Sequence, residues 1–319
     1  MPTASRTDTT MPTSADISNP QLSWNLAHDL SELVEYHFMV DALLAGSIVA
    51  VMAGLAGWFM VLRREAFAGH TLSMMAFPGA TGAALLGIPA AWGYFAFCGA
   101  GALAIGRLSA GERLSWSEQS AVIGSVQATA LAVGFLFVSL YGGILGNLES
   151  LLFGNVLGVS DGQVLLLALV ALAALALIAG LARPLLFGSV DPDAARARGV
   201  PVTAVSTAFL LILGFAVAET SQITGVLLVF ALLVGPAATA QAITARPAVS
   251  LALTVLIGLL VVWLGVGIAY FSVYPAGFFI ATVSFTAYVV ARVLAGALGI
   301  RRSRVGRRST GAPARGAVA

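Results

Sequence analysis

The chain has 319 residues, of which 59% are hydrophobic and only 9% charged, with a formal net charge of +2. Soluble domains carry about 25% charged residues, so a soluble protein is excluded, and nothing points to a nucleic-acid partner. Apolar runs such as "VLLLALVALAALALIAGLA" (164–182) approach the ~20 residues that cross a hydrocarbon core of ~30 Å, whereas a β-barrel would show short alternating segments. The composition therefore reads as an all-α, polytopic protein of the lipid bilayer with about 8–9 transmembrane helices.

In chain order, residues 1–29 are polar, lack the basic and apolar regions of a signal peptide, and read as a disordered N-terminus. The transmembrane domain is expected over 30–299. Its first segment, "LSELVEYHFMVDAL" (30–43), is amphipathic and reads as an interfacial stretch ahead of the first span. Nine spans follow at about 39–62, 66–87, 89–107, 118–141, 163–183, 202–219, 222–245, 248–271 and 276–298. An eight-crossing variant leaves one of them at the interface. "LESLLFGNVLGVSDGQ" (148–163) is too short and too glycine-punctuated to span, so it reads as a short outer-face or re-entrant helix. Residues 300–319 read as a basic, disordered cytoplasmic tail with an option on anionic lipid.

Arginines set the topology. Arg63 and Arg64, Arg107 and Arg113, Arg183 with Arg196 and Arg198, Arg246, and the cluster from Arg301 to Arg308 all fall on one side of nine crossings. By the positive-inside rule that side is cytoplasmic, with the N-terminus outside. The opposite loops contain no Arg. His28 and His37 lie outside the spans and read as solvated.

All sixteen basic residues are Arg, so no P-loop lysine exists and no GxxxxGK[ST] occurs. If ATP drives this protein, another chain hydrolyses it. The single Cys98 lies in an apolar run and reads as a packing residue, without a disulfide framework or a cysteine zinc site. No HExxH, GxSxG or paired helical aspartates support an intramembrane enzyme.

The stretch "AFAGHTLSMMAFPGATGA" (66–83) carries polar and breaking residues in an apolar span. At 100° per residue, His70, Met74, Phe77 and Thr81 share a face, while small residues occupy the other side. Counting from Arg64 at 1.5 Å per residue puts Met74 about 15 Å into the bilayer. Pro78 has no N–H, so the carbonyl of Met74 loses its helical partner; in "LLVGPAATA" (232–240), Pro236 does the same to Leu232. Two helices interrupted at depth suggest a polar pathway, with Ser73 beside it. An intramembrane histidine reads as functional.

These features resemble the integral-membrane permease subunits of zinc, manganese and iron ABC importers. The resemblance runs from about Glu32 to Leu298 and rests on "VLRREAFAGHTLSMMAFPG", "LESLLFGNVLGVS", "SVDPDAARARGV" and "GVLLVFALLVGPAATA", in family order and spacing. Family members typically read G-D-A-L-S-H-A-x-x-P-G where this chain reads "GHTLSMMAFPG". The resemblance thus implies that the metal-pathway positions fall on His70 and Met74, with Asp replaced by His and His by Met. A His/Met pair is softer and uncharged, which suits late or soft metals better than Mn²⁺.

"SVDPDAARARGV" looks like the segment that couples such permeases to an ATPase (189–200), with Ala195 and Gly199 in its A-x-x-x-G pattern. Asp191 or Ser189 can cap a short helix starting near Pro192, and Gly199 can stop it. Asp41 begins the first span, Glu219 ends the sixth and Glu149 opens the outer "LESLLFG" segment; each reads as attracting a cation from outside, as meeting a binding protein, or as a solvated helix end. The implied protein is a plasma-membrane permease, not an enzyme, holding no cofactor of its own and moving a divalent metal ion. Its implied partners are an ABC ATPase subunit, an extracytoplasmic metal-binding protein and a second copy of itself. The alternative is a self-sufficient secondary metal transporter or channel, which would need coupling acids within the spans.

Overall fold

A computed structural model describes residues 36–109, 116–141, 152–154, 156–272 and 274–297. These residues form helices α1 (His37–Arg63), α2 (Ala66–Leu86), α3 (Ala90–Leu108), α4 (Trp116–Tyr141), α5 (Asp161–Val190), α6 (Pro192–Ala197), α7 (Val202–Thr224), α8 (Val229–Ile243), α9 (Pro247–Tyr270) and α10 (Ala276–Ala297). A single 3₁₀ turn, Val156–Gly158, precedes α5 among the described residues. Six of the helices (α1, α4, α5, α7, α9 and α10) are long and apolar enough to cross a membrane, and α8 is a shorter apolar helix.

The chain alternates in direction through these helices, and side-chain contacts fix their ends. Arg63 at the end of α1 donates to Ser206 near the start of α7, and His37 at the start of α1 meets Asp161 at the start of α5. All described arginines lie toward the Arg63 end, in agreement with the sequence-derived topology.

α1 and α7 occupy the centre. α1 packs against α5, α7, α8 and α9, while α7 packs against α1, α2, α3 and α5. α4 and α10 turn most of their apolar surface outward, as lipid-facing helices do. Lipid tails are as apolar as leucine, so close backbone approach carries much of the association between helices. Gly79 on α2 and Gly93 on α3 show this: a methyl group at Gly93 would fall 2.0 Å from the Gly79 carbonyl oxygen. Polar ties add direction, with Trp58 Nε1 donating to Ser250 Oγ and Trp263 Nε1 to Ser47 Oγ across α1 and α9.

Several boundaries depart from the sequence reading. Residues 37–43 are the first turns of α1 rather than a separate interfacial stretch. α7 runs on to Thr224, so Glu219 lies within it and is fully buried. The polar run stays helical because Thr220, Ser221 and Thr224 return their hydroxyls to carbonyls four residues back. The chain then breaks at Gly225, whose φ of 75° a side chain rarely adopts, and α8 starts only at Val229. Residues 152–154 dock on this break: Leu227 N donates to the Leu152 carbonyl, and Gly154 approaches the Gly225 backbone too closely for a Cβ.

Neither Pro78 nor Pro236 interrupts its helix. α2 and α8 continue through both, as membrane helices can when neighbours absorb the freed groups. The readings for residues 1–29 and 300–319, for Arg113, and for Glu149 fall outside the described residues.

Candidate functional site

α2 places His70 and Met74 one turn apart on a half-buried face. The His70 ring meets Phe230 of α8 edge to face, with centroids 5.3 Å apart. Toward the C-terminal end of α2 the same face closes. Phe77 is buried against Phe135 of α4, ring centroids 5.3 Å apart, and Thr81 is buried with its hydroxyl donating to the Phe77 carbonyl. An imidazole and a thioether thus stand accessible just below an aromatic cover.

The other residues singled out from the sequence lie deeper. Ser73 is buried and its hydroxyl donates to the His70 carbonyl at 2.6 Å, which ties that side chain to its own helix. Pro78 is buried where Gly134 of α4 packs, a Cβ there falling 3.3 Å from the Pro78 Cα. On α8, Leu232 and Pro236 are buried and lie on the side of the helix away from Phe230. The structure brings Phe230 to His70 and does not bring Leu232 or Pro236 to that face. Pro78 leaves the Met74 carbonyl without its i+4 donor, and Pro236 leaves that of Leu232.

At the Arg63 end of the bundle, α1 closes on Arg64 in the left-handed conformation, φ 61°. That turn delivers Glu65 to Arg63, which donates to its Oε1 at 2.8 Å and to Ser206 Oγ. Burial pushes the Glu65 carboxyl up from its ordinary value, and the Arg63 charge and hydrogen bonds pull it back. The Arg63 guanidinium also lies over the Phe209 ring. The join between α1, α2 and α7 is therefore a fixed corner.

α6 follows local rules throughout. Asp191 Oδ1 accepts from Ala194 N at 2.9 Å, and Pro192 fills the first turn, where no N–H is needed. Ser189 instead donates to the Leu185 carbonyl. Gly199, at φ 82°, ends the helix: its N–H meets the Arg196 carbonyl and the Val200 N–H meets that of Ala195. Ala195 is fully buried on the side that packs against α5 and α7. Asp193, Arg196 and Arg198 point outward, with Arg196 donating to Asp193. The result is a short rigid knob with a charged outer surface.

Sequence reasoning missed two things here. Phe230 gives no polar signal, so only the packing of α8 on α2 reveals it. His37, expected to be solvated, is exposed but pairs with Asp41 and Asp161; the 124 positions separating His37 from Asp161 hide that pairing from any local pattern.

The residues match known proteins over most of their length. Manganese transport system membrane protein MntC of Halalkalibacterium halodurans is 32% identical over 249 residues, covering 78% of this chain and 83% of the relative. Chelated iron transport system membrane protein YfeC of Yersinia pestis is 30% identical over 242 residues, covering 76% and 80%. Among solved structures, PsaBC from Streptococcus pneumoniae in complex with Fab superposes with a TM-score of 0.73 at 26% identity, covering 83% of this chain and 94% of that one. With the family model matched across residues 35–295, the chain belongs to the ABC 3 transport family.

Proposed function

We propose that this chain is the membrane permease subunit of an ATP-driven importer of divalent transition-metal ions. Its relatives include a manganese and a chelated-iron transport membrane protein. The observation that carries the metal assignment is the half-buried pair of an imidazole and a thioether, His70 and Met74, on one face of α2. In this reading the ion passes that face between two copies of the chain, arriving from an extracytoplasmic binding protein. A neutral imidazole and a thioether supply soft donors without fixed charge, so the ion is held weakly enough to leave. The freed carbonyl of Met74 offers a further oxygen dipole on that helix.

Energy enters at the other side. An ATPase subunit docks on α6, whose charged outer surface it contacts through Asp193, Arg196 and Arg198, and displaces α5 and α7 through the buried Ala195. Asp191 and Gly199 keep the knob stiff by capping its two ends. The chain itself carries out no covalent chemistry.

Reconstitution tests this directly. Proteoliposomes holding the chain with its ATPase subunit accumulate Zn²⁺, Mn²⁺ or Fe²⁺ only when ATP is supplied. Accumulation without any ATPase subunit would instead establish a self-sufficient transporter or channel.

A further inference from the structure

We propose that His37, Asp41 and Asp161 form a divalent transition-metal site on the outer surface, bridging the first turns of α1 and α5. The three residues each offer one ligand atom, and these atoms lie within 4.8 Å of one another. His37 Nε2 stands 3.3 Å from Asp161 Oδ1 and 3.6 Å from Asp41 Oδ2. Those separations are long for charge-assisted hydrogen bonds, which close to ~2.7–2.9 Å. They match the edges of a tetrahedral coordination shell, where bonds of about 2.0–2.2 Å hold neighbouring donors about 3.3–3.6 Å apart.

Asp41 is what separates this cluster from a chance meeting of surface acids. It is only 8% exposed, and among the described residues its carboxylate has no partner outside the cluster. Two carboxylates held together repel each other and lose hydration. Among the described residues every arginine lies toward the opposite end of the bundle, so no guanidinium offsets them. The His37 imidazole offsets them only when protonated; a divalent cation does so while taking all three side chains as donors, and one imidazole with two carboxylates suits a borderline ion such as Zn²⁺. His37 and Asp161 are exposed, which leaves an approach from the aqueous side and room for water as the fourth ligand. Occupied, the site ties α1 to α5 at their outer ends.

The site does not depend on the transport reading, and its test needs neither ATPase nor transport. Equilibrium dialysis of Zn²⁺ against the purified full chain carrying His70→Ala removes the interior imidazole from the measurement. One Zn²⁺ per chain is expected, with affinity falling at least tenfold in His37→Gln and in Asp161→Asn, both exposed positions that leave packing intact. Zn²⁺ should also raise the melting temperature of the His70→Ala chain, and that shift should vanish when His37→Gln is added. Absence of Zn²⁺ binding in the His70→Ala chain, or undiminished affinity in His37→Gln, overturns the proposal.

Discussion

The His70 ring on α2 stands edge-to-face on the Phe230 ring of α8, with centroids 5.3 Å apart. This contact orients an otherwise half-open imidazole. Edge-to-face pairs contribute ~0.5–1.5 kcal/mol. Phe230→Leu should therefore weaken metal uptake about 2- to 10-fold at limiting metal concentration, and Phe230→Tyr should retain it. Initial uptake rates in reconstituted vesicles check this, and equal rates for Leu and Phe would remove Phe230 from the site.

Met74 tests donor chemistry apart from shape. Met74→Leu conserves volume and should cost less than about 1.5 kcal/mol of stability, yet it deletes the sulfur. Met74→His replaces a soft donor with a borderline one. Competition among Zn²⁺, Mn²⁺ and Fe²⁺ should show the proportion of Mn²⁺ taken up rising in Met74→His. An unchanged ratio in both variants would mean that Met74 is no ligand.

In α6, Asp191→Ala removes the bond to Ala194 N and should loosen the helix by about 1 kcal/mol. Gly199→Ala places a Cβ at φ 82°, at a cost of roughly 1–2 kcal/mol. Both should raise amide exchange across Pro192–Ala197 and reduce ATP-coupled uptake, while the remaining helices stay protected. Full coupling with a frayed α6 would show that the ATPase pushes elsewhere.

Packing predicts a contrast between two glycines. Gly93→Val forces a side chain onto the Gly79 backbone, where even a Cβ would fall 2.0 Å from the carbonyl oxygen. Since neither helix can give way cheaply, a loss of ~3 kcal/mol or more is expected. Gly124→Ala on α4 meets open space and should be neutral or stabilising by ~0.5–1 kcal/mol. Melting of the purified protein in detergent separates the two.

What the sequence revealed depended on range. The caps of α6 were legible because Asp191, Pro192 and Gly199 act within a few residues of one another. The shared face of His70 and Met74 followed from helical period alone. Hydropathy ended a span at Glu219, but hydroxyls bonding within α7 carry the helix on to Thr224, an effect invisible to a scale that scores residues singly. The prolines misled in the other direction: packing keeps α2 and α8 continuous, and the break falls at Gly225, where residues 152–154 dock. Contacts such as Arg63 with Ser206 and His37 with Asp161 join residues 143 and 124 apart, and no local pattern encodes them.

Metal accumulation in cells expressing His70→Ala with the intact partner subunits tests the proposed passage of metal along the His70 face. Background accumulation with wild-type abundance of the protein in the membrane is the expected result. Wild-type accumulation by that variant would show that metal passage does not depend on the His70 imidazole.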